Sequence, residues 1–372
     1  MEHTLPRLTL WLRSLMALVL MLVLVQPAHA RPPAGEVIEA QGEVVRVERG
    51  GSEPITVGTN VFVGDRIKTG DQSRAIVRLR DGSQLQIGNR SELEIQRFRV
   101  QTSERESIFS LISGKVRAVV AKFQGNDRWE VRTPTLVAGV RGTDFVAVSD
   151  KNVGMIFTDE GNVAAGSPPA KETSMALGPN GYPLAPPADY SSEVHSTAGK
   201  MTESTTGHPP IAATDIADDP LLAAAHKALR ASTDPTIPAD WKALERLPAM
   251  LARWNLNYAH LLMERSVWRD AETTIACAMA LDPDAEVQGE GWLLRGGIHA
   301  RGTRDLTKAE QAYRHILTEF PQTQALEPGL FNLGMLYQDQ GRTDEARGVF
   351  NDYLTRFPSG PHAKSVRFFL GQ

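Results

Sequence analysis

Leu136-Val137-Ala138-Gly139-Val140-Arg141-Gly142-Thr143-Asp144-Phe145-Val146-Ala147-Val148 is the stretch on which the fold turns. Two apolar runs rich in β-branched residues flank a Gly-Val-Arg-Gly corner, a pattern that predicts strand, tight turn, strand. Arg141 is a cation set between the corner glycines. Its expected role is a structural latch that reaches Asp144 or Asp65 and locks the turn. The alternative is an anion-binding site formed by Arg141, Thr143 and Asp144.

On both sides of this corner the chain keeps reading as short strands. Ala75-Ile76-Val77-Arg78-Leu79-Arg80, Asp81-Gly82 and Gln84-Leu85-Gln86-Ile87 predict a hairpin. Further strands are expected at Val45–Glu48, Gly64–Gly70, Ile108–Ile112, Lys115–Val120, Trp129–Val131, Asp144–Val148 and Val153–Phe157. Many short strands without a helical period indicate an all-β domain over 36–187, either a sandwich or roll or a solenoid. Residues 36–187 contain no histidine and no cysteine. That leaves no Ser-His pair for nucleophilic catalysis and no donors for zinc or copper. The acidic residues lack the spacing of a calcium loop. No enzyme, cofactor or metal site is expected.

At the N-terminus, Arg7 and Arg13 precede an apolar run from Leu15 to Val25, and Ala28-His29-Ala30 supplies a small-residue cleavage site. Residues 1–30 read as a secretory signal peptide cleaved after Ala30, because the run is shorter than the roughly 20 residues of a membrane span. No comparable run follows, so no membrane insertion is expected after cleavage. Cys277 is the single cysteine, which excludes an intrachain disulfide and fits a bacterial periplasm. The formal charge of −4, from 40 basic and 44 acidic residues, offers no basic stripe for nucleic acid.

Gly64-Asp65, Thr69-Gly70, Leu79-Arg80-Asp81-Gly82-Ser83, Ser113-Gly114-Lys115-Val116, Thr133-Pro134 and Val140-Arg141-Gly142-Thr143 occur in an order that resembles the FecR domain. Glu160-Gly161-Asn162-Val163 and Met175–Gly181 fit the end of the same pattern. The resemblance implies a β domain that recognises a ligand or partner, such as a small molecule or glycan. It also implies an alternative function: a periplasmic ligand sensor in a FecR-type signalling or iron-uptake system.

Residues 188–219 shift to Pro, Ser, Thr, Gly and Ala and read as a mobile linker. Helix is expected from Pro220 onward, and 220–372 reads as an all-α array. Ala271, Ala309 and Ala346 recur at intervals of 38 and 37 residues, each followed by a proline at Pro283, Pro321 or Pro358. Leu333-Gly334 with Tyr337 completes a pattern similar to the tetratricopeptide repeat, with Gly297 and Ala259 at the equivalents of Gly334. Three units are expected at about 252–285, 290–323 and 327–360, with a capping helix at 362–370. Asn255 departs from the pattern, standing where a large apolar residue is usual. Cys277 is expected to be a buried small hydrophobe.

The repeat resemblance implies a concave groove for a protein partner. Alignment on the prolines places Asn257, Arg295 and Asn332 at one position on successive first helices, with His260, Ile298 and Met335 three residues later. Such a row could grip the C-terminal carboxylate of an extended peptide through Arg295. The sequence as a whole reads as an exported, non-enzymatic binding or scaffold protein of the bacterial cell envelope.

Overall fold

The structure, a computed structural model, describes residues 32–48, 51–100, 105–122, 127–168 and 189–372. The expected signal peptide and Met175–Gly181 lie outside the described residues. Two β-sheets share one long strand, β9 (Arg105–Val119). The outer sheet runs β3 (Gly51–Pro54), β2 (Val44–Glu48), β5 (Arg66–Thr69), β8 (Glu92–Val100), the first half of β9, β10 (Arg128–Arg132), β11 (Val137–Val140), β14 (Asn162–Ser167) and β15 (Asp189–Thr197). The inner sheet runs β4 (Asn60–Val61), β1 (Gly35–Gln41), β6 (Arg74–Leu79), β7 (Gln84–Ile87), the second half of β9, β12 (Asp144–Asp150), β13 (Val153–Glu160), β16 (Lys200–Thr205) and β17 (Thr214–Asp215). All pairings are antiparallel except β9 with β10.

The strand expected to break between Ile112 and Lys115 instead continues through Gly114, which takes φ +89° where β9 passes from one sheet to the other. A Cβ at Gly114 would lie 2.3 Å from Ser91 Oγ, so the crossing requires glycine. The deciding stretch also passes from the outer sheet to the inner one. β11 belongs to the outer sheet and β12 to the inner one, so the Gly139–Gly142 corner is an arch between layers and not a hairpin. Gly142 turns the arch at φ +72°, and a Cβ there would meet Lys122 Cγ at 2.6 Å. The hairpin at Asp81-Gly82 forms as expected, β6 pairing with β7.

Between the sheets lies an apolar core that includes Trp129, Phe109 and Phe145, with the Trp129 ring centroid 5.0 Å from that of Phe109. The inner sheet is covered on its other face as well. Val146, Val148, Met155, Phe157 and Met201 point away from the sandwich and pack under helices. Burial on both faces explains why Phe145–Val148 and Met155–Phe157 are continuously apolar, since neither set of alternating side chains meets water.

Nine helices follow among the described residues: α1 (Pro220–Thr233), α2 (Trp241–Glu245), α3 (Leu247–Glu264), α4 (Trp268–Leu281), α5 (Ala285–Gly297), α6 (Leu306–Glu319), α7 (Leu326–Asp339), α8 (Thr343–Arg356) and α9 (Ala363–Leu370). Asp219, Asp240, Asp284 and Asp305 cap α1, α2, α5 and α6 by accepting first-turn amide hydrogen bonds. α3/α4, α5/α6 and α7/α8 are the three antiparallel pairs, each ending shortly before its proline, and α9 closes the array. None of the described helices is long and apolar enough to cross a membrane.

Two further sequence expectations change. Residues 189–219 do not form a linker: β15, β16 and β17 extend the sheets there, so sheets and helices form one compact unit over 34–372. Their Ser/Thr composition imitates a loop, but the hydroxyls of Thr202, Ser204 and Thr205 are buried with partners. Thr202 Oγ1 donates to the Ile211 carbonyl at 2.7 Å, Ser204 Oγ to that of His208 at 2.8 Å and Thr205 Oγ1 to that of Asn152 at 2.7 Å.

The second change concerns register in the middle repeat. A Cβ at Gly334 would strike the Phe350 ring at 2.3 Å, and the matching contact in the middle repeat is Gly296 against Tyr313, also 2.3 Å. Gly296, not Gly297, is therefore the equivalent of Gly334. The extra residue is absorbed by a π-helical turn, Ile298–Thr303, whose Gly302 lies against the Trp268 indole. Gly334→Ala should cost about 1–3 kcal/mol despite the better helix propensity of alanine, because the Phe350 ring must move in a packed core. Urea unfolding of the full chain measures it.

Candidate functional site

The arch and the helical groove were the two sites expected from sequence. At the arch, Arg141 is exposed and makes no hydrogen bond or ion pair among the described residues. It stands at the edge of an open groove of about 620 Å³ that also includes Asp127, Asn162, Glu193 and His195. Its two expected partners are engaged elsewhere. Asp65 takes an ion pair from Arg46 at 3.0 Å, and Asp144 takes both Arg117 Nε at 2.8 Å and Nη2 at 2.6 Å. Thr143 is buried and donates to the Asn162 carbonyl at 3.3 Å. The latch exists, but Arg117 is its cation. The sequence signal was present in β9, where Arg117 interrupts Val116 and Ala118, yet its partners are distant in the chain.

Arg117 also reaches across to the helices, donating Nη1 to Asp234 at 2.8 Å just past the end of α1. Arg230 of α1 donates to Asp159 of β13 at 2.6 Å, and His226 lies 2.8 Å from the other oxygen of that carboxylate. Burial pushes the Asp159 carboxyl up, but hydrogen bonds and charge from His226 and Arg230 outweigh it and hold the group below the ordinary carboxylate range. Burial and Thr236 act on Asp234 in the same opposed way, and with Arg117 the result is again a lowered value. These groups form a charged seam that fixes α1 on the inner sheet.

Between the inner sheet and α3 and α4 is a second buried polar group. Glu203 of β16 is fully buried and accepts from Asn255 Nδ2 of α3 at 3.3 Å, with the Cys277 thiol of α4 against the same carboxyl. Burial dominates there, pushing the Glu203 carboxyl up to about 8 and the Cys277 thiol well above its usual range. Cys277 is buried as expected, but against an acid that sequence reasoning missed. Native protein should leave Cys277 unreactive toward a disulfide reagent such as dithionitrobenzoate, with one thiol appearing on unfolding. Fast labelling of the folded chain would contradict the burial.

In the helical array, Asn257 and His260 are exposed on α3. His260 and Arg253 both approach Glu290 of α5, at 3.4 and 2.6 Å. Asn332 and Met335 are half-buried on α7. The middle members leave the row. Arg295 Nε donates to Glu272 of α4 at 2.9 Å, and Ile298 is 2 % exposed. The register shift accounts for both, since alignment on Gly296 puts Arg295 opposite Leu333 instead of Asn332. The structure therefore brings Asn257 and His260 together on one face, without Arg295 beside them. No group of three or more metal-ligating side chains gathers among the described residues.

Residues 65–164 match the family described as FecR protein, and residues 329–360 match that described as Tetratricopeptide repeat. No curated protein matches the chain. Similar solved structures include two of a protein from Parabacteroides distasonis provisionally described as an anti-sigma factor, at 14% and 13% identity. Each similarity covers 40% of this chain and 59% of the other, with a TM-score of 0.30. The chain thus spans less than two thirds of their length.

Proposed function

The chain carries a FecR domain at 65–164 and a tetratricopeptide repeat at 329–360, families of regulatory and interaction domains, and on that premise we propose that it is an exported, non-enzymatic binding protein of the bacterial cell envelope. The observation that carries this reading is the shared core of the inner sheet with α1, α3, α4 and α5. A helical array joined to its β domain by a common core is held at a set angle, which suits presentation of a groove to a protein partner. The Asn257–His260 face of α3, with Asn332 and Met335 on α7, is the surface assigned to that partner. The competing reading, a periplasmic sensor of a small molecule or glycan in a FecR-type signalling or iron-uptake system, would place its ligand at the β domain.

Two measurements test the proposal. Intact-mass analysis of the periplasmic fraction should find a mature chain that begins at Arg31; retention of Met1–Ala30 in a membrane fraction would overturn the export assignment. Crosslinked envelope material should yield a defined partner with the full chain and not with an Asn257→Arg/Asn332→Arg variant of unchanged melting temperature. Equal recovery with that variant would remove the groove.

A further inference from the structure

Two residues before Arg117, on the same face of β9, stands Lys115. Arg117 is neutralised by carboxylates, whereas Lys115, only 9% exposed, has no hydrogen bond or ion pair to its amine among the described residues. Its backbone is paired on both sides, with Val148 of β12 and with the Gly88 amide at 3.0 Å, so the main chain holds its Cβ toward the helices. The aliphatic stem crosses Gly88, where a Cβ would lie 2.7 Å from Lys115 Cγ. A lysine brought this far out of water is costly: burial pushes its amine down to about 8, and the nearby charge of Asp150, which makes no ion pair with it, offsets only part of that. It remains largely protonated at neutral pH.

Lys115 lines a cavity of about 380 Å³ where the β domain meets α2 and α3, within the range of small-molecule sites. Trp241, Leu244, Leu247 and Pro248 form an apolar wall opposite the strands. The other cations there are committed: Arg90 is paired with Asp71, and Lys151 Nζ donates to the Leu281 carbonyl. Asp150 and Glu245 are the remaining charged groups of the lining. The side-chain oxygen of Asn89 is buried on the same lining without a hydrogen-bond partner. An ammonium with no ion pair of its own, facing the cavity, can take an anion, and the buried amide oxygen of Asn89 on the same lining as Asp150 asks for hydrogen-bond donors. An indole in the wall accepts the apolar face of a ring.

We propose that this cavity binds a small polyhydroxylated carboxylate of the uronic-acid kind, its carboxylate on Lys115, its hydroxyls on Asn89 and Asp150, and its ring against Trp241. The inference goes beyond the scaffold reading and does not depend on it.

Glucuronate is the probe, titrated into the full-length protein by calorimetry and by tryptophan fluorescence. Glucose tests the need for charge, and inorganic phosphate the need for the hydroxylated ring. Glucuronate should bind at pH 7, with affinity falling as the pH rises past 8 and Lys115 deprotonates. Lys115→Met should weaken binding at least tenfold while melting no lower than the parent, since it removes a buried charge. Asn89→Ala should weaken it about threefold or more, and Trp241→Phe should lose the fluorescence change. Failure of glucuronate to bind overturns the proposal. So does glucose or phosphate binding as tightly as glucuronate, or Lys115→Met retaining the parent affinity.

Discussion

Raising the pH from 5 to 8 should weaken the folded protein by about 4 kcal/mol, and Glu203→Gln should abolish most of that loss. The cause is the fully buried Glu203 carboxyl, whose pKa of about 8 stands far above that of an exposed glutamate. A carboxyl with a raised folded-state pKa contributes its full stability below the unfolded value. The contribution is lost as the pH climbs through the folded one, so the window runs from about 4.5 to 8. The seam carboxylates Asp159 and Asp234, with lowered values, act oppositely and at lower pH. Their stabilisation is complete above about pH 4 and is lost on acidification, so it does not overlap this window. The amide introduced by Glu203→Gln would mimic the protonated acid, with its carbonyl still able to accept from Asn255. Chemical unfolding of parent and variant at pH 5, 6.5 and 8 should show curves that meet at pH 5 and diverge by pH 8, the variant being the more stable. A parent whose stability is flat across that range would mean that Glu203 is not held in a dry site.

Arg117→Ala should cost about 3–5 kcal/mol, whereas Arg141→Ala should change stability by no more than about 0.5 kcal/mol. Arg117 is 9% exposed and holds Asp144 with two hydrogen bonds and Asp234 with a third. Truncating it leaves Asp144 in the seam without its cation and Asp234 with only Arg230, 3.7 Å away, which is the costly way to break a buried ion pair. Arg141 is exposed, and its removal strands no partner among the described residues. Differential scanning calorimetry separates the two. A large loss in Arg141→Ala would restore it as the latch, and a small loss in Arg117→Ala would show that apolar packing alone holds α1 on the sheet. The Arg117 variant should also loosen Arg230 and His226, so hydrogen exchange in α1 should rise with the fall in stability.

Much of this protein is written locally. Alternating and continuous apolar runs, the Asp81-Gly82 turn and the corner glycines determine a β domain, because strand faces and left-handed turns are read over a few residues. The spacing of Ala271, Ala309 and Ala346, with a proline after each unit, determines three helix pairs for the same reason. Register within the middle pair was not legible, since a π-helical turn adds one residue without altering the pattern, and that carried Arg295 away from the proposed row. Asn255 was a legible anomaly. It breaks the repeat pattern because it faces Glu203, although only the fold reveals the acid. What tertiary structure alone decided is where the layers meet. Residues 189–197 and 200–205 become strands, β16 with buried hydroxyl–carbonyl pairs, and Arg117, Asp144, Asp159, Arg230 and Asp234 converge from distant parts of the chain. Such partners are joined by topology over long sequence separations, and no local propensity records them.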